Sequence, residues 1–156
     1  MRSLPLLGDE IRQRTVRLCH AGEMTLTTED RMAIHELIAL HGHLMDEGQF
    51  DRLDELFTKD FVYDVEALGF GSLKGSDALT EASLALGDGN PLGHHVTNVV
   101  IVEAWGDSAK VRSKGIGIRT DGTSDTVVYE DVVERTSDGW RIAYRKVIPR
   151  RRPLHP

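Results

Sequence analysis

Apolar residues first recur at helical spacing between Glu29 and Glu47. Ile34, Leu37, Ile38, Leu44 and Met45 share one stripe, and His41 lies near its centre. Thr27 followed by Asp30 fits a capping box at the start of this helix, and Gly48 supplies a stop. A short second helix is expected over "FDRLDELF". The stretch "FVYDVEAL" then alternates as a strand does, with Phe61, Tyr63 and Val65 on one face and Val62, Asp64 and Glu66 on the other. "GSLKG" leads into a third helix from about Ser76 to Leu86.

Beyond Pro91 the period changes from helix to strand. The run "GHHVTNVVIVE" and three further β-rich runs are joined by "WGDS", "TDGTSD" and "TSDGW", whose Gly-Asp and Asp-Gly pairs are hairpin signals. The expectation is a four-stranded antiparallel meander, and helices followed by sheet read as α+β. Strict alternation puts His94 on a face with Val96, Asn98, Val100 and Val102, and His95 with Thr97, Val99, Ile101 and Glu103. Ala109, Val111, Ser113, Gly115 and Gly117 share an inner face, where small side chains permit bending and leave room for a ligand. Val127, Tyr129, Asp131, Val133 and Arg135 share the next inner face, with Arg135 as the expected partner of Asp131. The alternating Val128, Glu130, Val132 and Glu134 look outward.

Composition narrows the function. The chain has 156 residues, enough for one domain with a real core. A formal charge of −6 argues against nucleic acid as the main partner. No apolar run approaches the ~20 residues needed to span a bilayer. Cys19 is the single cysteine, so no disulfide framework or cysteine zinc cluster is expected, and a cytoplasmic location follows. Asp9 and Glu10 interrupt the apolar opening and exclude a secretory signal. Residues 1–23 read as an N-terminal extension, 24–149 as the domain, and 150–156 as a basic solvated tail.

From about Leu26 to Pro149 the chain resembles the SnoaL-like branch of the NTF2-like superfamily. "LIALHGHLMDEGQFDRLDELFTKDFVYDV", "GSLKG", "HHVTNVVIVE", "YEDVVER" and "DGWRIAYRKVIPR" carry the resemblance. It implies an α+β cone, with N-terminal helices packed on a strongly curved, mostly antiparallel sheet around a pocket. Such proteins include polyketide cyclases, scytalone and bile-acid dehydratases, a dehydrochlorinase, steroid isomerases and binding proteins without activity. The resemblance matches His94 to a catalytic histidine, Asp46 to its aspartate and Arg135 to an active-site arginine. His41 stands where relatives hold lysine or tyrosine. It also implies a homodimer formed through the outer sheet face.

The chemistry asks for similar residues independently. Removing a proton beside a carbonyl or leaving group suits a histidine base, and a carboxylate on its far nitrogen fixes the tautomer. Arg135, Tyr63 and Tyr129 are candidates to stabilise developing negative charge, and Tyr63, Tyr129, Asp131 and His41 to contact substrate. The plainer readings are a surface acid for Asp46, a hydrogen-bonded core histidine for His41, a strand-end arginine for Arg135 and core aromatics for the tyrosines. His41, Asp46 and His94 also form a 2-His-1-carboxylate set, a weaker reading than acid–base work. The expectation is a lyase, isomerase or cyclase needing no cofactor or metal. Its substrate class would be a hydrophobic oxygenated molecule such as a polyketide, steroid or terpenoid intermediate. The alternative is a non-catalytic ligand-binding protein, or the small partner subunit of a ring-hydroxylating dioxygenase.

Overall fold

A computed structural model describes residues 26–150, so the N-terminal extension and all but the first residue of the basic tail lie outside it. Helix α1 spans Thr28–Asp46. Its start is the capping box read from the sequence: the Asp30 amide donates to Thr27 Oγ1 and the Thr27 amide to Asp30 Oδ2, each at 3.1 Å. Ile34, Leu37, Ile38 and Leu44 are buried along one stripe, and His41 and Gly42 lie within it. Burying each large aliphatic contributes roughly 1.5–3 kcal/mol. This stripe, rather than intrinsic propensity, therefore holds the helix in place. Gly48, with φ of 65°, adopts the left-handed conformation that ends it.

A 3₁₀ turn over Phe50–Glu55 replaces the expected second helix, burying Leu53. Strand β1 (Phe57–Asp64) follows, then a short strand β2 (Ser72–Lys74) that the sequence did not reveal. Helix α2 covers Gly75–Leu86. The meander is present as β3 (Gly93–Trp105), β4 (Ser108–Ile118), β5 (Ser124–Thr136) and β6 (Gly139–Pro149). Among the described residues the sheet order is β2-β1-β6-β5-β4-β3, antiparallel except where β1 runs parallel to β6. That parallel pairing joins the two halves of the chain and sets Tyr63 opposite Arg145. No described helix is long and apolar enough to cross a membrane.

Bulges in β3 and β6 change which residues face the core. In β3 an extra residue falls between Thr97 and Val100, where Asn98 has φ of 53°. His94 and Val96 look inward before it, and Val99 and Ile101 after it. The single face expected for His94, Asn98, Val100 and Val102 is therefore broken, and Val100 and Val102 stand exposed on the outer side. In β6 the register shifts between Ile142 and Tyr144 opposite Val133 and Val132. Trp140 and Ile142 point inward before the shift, and Arg145 and Val147 after it.

The small inner residues of β4 have a use other than leaving space for a ligand. A Cβ on Gly115 would lie 2.5 Å from the Tyr129 ring, and one on Gly117 would lie 3.0 Å from Pro91. Gly115 thus makes way for the protein's own tyrosine.

Candidate active site

Asp46 closes α1, and His94 opens β3 directly beside it. His94 Nδ1 and Asp46 Oδ1 are 2.5 Å apart, and the His94 backbone amide donates to the same carboxylate at 3.0 and 2.9 Å. Three contacts on one carboxylate fix the imidazole's orientation. With Nδ1 donating to Asp46, Nε2 is the nitrogen left to accept a proton. The two side chains keep 21% and 24% of their surface exposed, so the dyad is neither sealed in the core nor free at the surface.

His41 stands next to it, a little more than one helical turn before Asp46, and is almost fully buried. Its ring meets His94 edge-on at 5.9 Å, Tyr129 at 5.8 Å and Tyr63 at 6.2 Å between centroids. Its Nε2 lies 3.4 Å from the Tyr63 hydroxyl, at the long limit of a hydrogen bond. Burial holds His41 well below the ordinary histidine value, and the Arg145 cation pushes the same way. It is neutral at physiological pH.

Beneath the tyrosines lies a cation that alternation conceals. Arg145 is completely buried, with Nε and Nη2 each 2.8 Å from an oxygen of Asp131 and its guanidinium 4.4 Å from the Tyr129 ring centre. Burial opposes its charge, but Asp131 outweighs burial and keeps it protonated. Burial pushes the Tyr63 and Tyr129 hydroxyls up, so both keep their protons and can donate. Among the described residues, Arg145 Nη1, His41 Nδ1 and Ser113 Oγ are buried side-chain atoms with no hydrogen-bond partner.

The structure thus brings together His94, Asp46, His41, Tyr63, Tyr129 and Asp131, and adds Arg145. It does not bring Arg135. His94 pairs with Gly117 and Gly117 with Asp125, so Arg135 sits roughly ten residues further along β5, about 33 Å at ~3.3 Å per residue. There its guanidinium holds Asp30 at 2.6 and 2.9 Å and Asp107 at 3.0 Å, and it stacks on Trp140 at 4.6 Å. The expected Arg135–Asp131 contact is replaced by Arg145–Asp131. Arg145 had one legible signal: an inward aspartate on β5 needs a cation, and a straight count across the hairpin puts Tyr144 opposite it, one residue away. Among the described residues no three His, Cys, Asp or Glu side chains converge as a metal site.

The model of the SnoaL-like domain family matches residues 26–146, a span that includes every residue of this cluster. The chain belongs to the SnoaL-like domain family. It is 32% identical over 123 residues to an uncharacterized protein of Mycobacterium tuberculosis, covering 74% of this chain and 82% of that one. An NTF2-like protein with a cystatin-like fold from Novosphingobium aromaticivorans superposes with a TM-score of 0.65 at 27% identity, over 93% of this chain and 90% of the other. A candidate scytalone dehydratase from the same organism superposes with a TM-score of 0.64 at 23% identity, over 80% of this chain and 89% of its own. The last likeness is one of fold. The SnoaL-like chain described here therefore has the α+β architecture of cystatin-like proteins, with its polar cluster on the inner face of the sheet.

Proposed function

We propose that this SnoaL-like protein is a lyase, isomerase or cyclase that works by proton abstraction without a cofactor. His94 Nε2 takes a proton from carbon beside a carbonyl or leaving group. Asp46 holds the tautomer and stabilises the imidazolium that forms. Arg145, aided by protonated Tyr63 and Tyr129, stabilises the negative charge that develops on the substrate. Neutral His41 separates the base from that cation and adds no positive charge of its own.

The observation that carries this reading is the Asp46 carboxylate bridging the His94 amide and Nδ1. A histidine serving only to fill space needs no such two-point hold. The substrate class is a hydrophobic oxygenated molecule, in keeping with the apolar core residues packed around the cluster and with the candidate scytalone dehydratase whose fold the chain shares.

The test is solvent-deuterium exchange followed by NMR. The protein is incubated in D2O with a panel of cyclic ketones and β-hydroxy ketones, beside His94→Ala and Asp46→Asn. Exchange or elimination by the wild type, abolished in His94→Ala and cut by several orders of magnitude in Asp46→Asn, is expected. Wild-type rates no higher than those of His94→Ala across the panel would count against an enzyme and favour a binding role.

A further inference from the structure

Helix α1 carries a glycine, Gly42, within its buried stripe, toward its C-terminal end. Glycine is among the poorest helix formers, so a helical position without another role favours alanine. Space decides otherwise here. A Cβ on Gly42 would overlap the backbone carbonyl oxygen of His94, an atom that has no rotamer by which to move away. Four residues later, on the same face of the helix, Asp46 receives the amide and the ring nitrogen of that same His94. Among the described residues, strand β3 is one edge of the sheet. The amide of His94 donates to Asp46 and its carbonyl faces Gly42, so both turn toward α1 rather than toward β4, and the helix covers the open edge there.

We propose that Gly42 is a positioning residue for the dyad: its missing side chain sets the α1–β3 separation at which Asp46 grips His94. For an added methyl to reach ordinary contact, the helix must withdraw by on the order of 1 Å. The Nδ1–Oδ1 contact would then stretch beyond the range of a charge-assisted hydrogen bond. Nothing in this requires Gly42 to touch substrate. It deepens the proposed reading of His94 and Asp46, yet its primary test needs no substrate and stands if that reading fails.

The experiment is ¹H–¹⁵N NMR of the full chain, observing the His94 imidazole nitrogens and the proton between Nδ1 and Asp46. The wild type should show Nδ1 protonated, Nε2 unprotonated and a far-downfield Nδ1 proton. Gly42→Ala should lose that proton signal while its amide spectrum stays dispersed, and turnover on any substrate found should fall roughly 100-fold. Gly42→Ala combined with Asp46→Glu, whose longer arm spans the wider gap, should recover the signal. A wild-type imidazole signal in Gly42→Ala would overturn the proposal. So would loss of folded protein in both variants, because Gly42 would then serve the fold as a whole and not the dyad.

Discussion

Arg145 and Asp131 lie side by side on neighbouring strands, joined at two points of 2.8 Å, and neither side chain exposes any surface. Taking both charges out of water is costly, and only their pairing offsets it. Asp131→Asn leaves the guanidinium buried without its counterion. The expected loss is about 3–5 kcal/mol in urea denaturation. Arg145→Met combined with Asp131→Leu removes both charges and should restore stability to near the wild-type value. That double variant should still lack turnover, which separates the pair's contribution to activity from its contribution to folding. A single Asp131→Asn variant as stable as the wild type would show that the pair does not hold the charge in place.

Arg135 has a structural task at the other end of the sheet. It holds the Asp30 carboxyl well below the usual carboxylate range, and bonds from Thr27 and Trp140 act in the same sense against burial. A carboxyl with a lowered folded-state value stabilises the fold above its unfolded value, ~4, and loses that contribution as pH falls below it. Arg135→Ala should therefore lower the melting temperature at pH 7. The gap from the wild type should narrow steadily from about pH 5 downward as Asp30 is protonated. Thermal melts at a series of pH values check it, and a gap that widens with acid would have the wrong sign. Turnover in Arg135→Ala should be retained, in contrast to Arg145→Met.

What the chain revealed by itself follows from what is local. The capping box at Thr27 and Asp30, the buried stripe of α1 and the hairpin turns each depend on residues a few positions apart, and all are present as read. Asp46 and His94 are 48 residues apart, and only the family resemblance paired them before the structure set them in contact. Arg145 was missed because the bulge near Ala143 reverses the face of β6. Strict alternation from Trp140 and Ile142 puts Tyr144 inside and Arg145 outside. The distance of Arg135 from His94 is hidden for a related reason. It does share the inner side of β5, but a face says nothing of the distance along the strand. Bulges and strand length are set by pairing between segments, and neither is written in the period of one segment.

The bulge in β3 is the place where this limit meets the candidate site. Asn98, at φ of 53°, takes the left-handed conformation that asparagine tolerates and β-branched residues resist. It turns the strand so that His94 and Val96 on one side and Val99 and Ile101 on the other all reach the interior. Asn98→Gly keeps the conformation available and should leave stability within about 1 kcal/mol of the wild type. Asn98→Val must either hold a strained backbone, at a cost on the order of 1–3 kcal/mol, or abandon the bulge. Abandoning it imposes strict alternation, so that if Val99 and Ile101 stay inside, His94 turns away from Asp46. Urea midpoints for the two variants, read beside the downfield His94 proton, distinguish these outcomes. Strain alone lowers the midpoint and keeps the signal, whereas loss of the bulge removes both. Wild-type behaviour of Asn98→Val by both measures would mean that the bulge does not set the face of His94.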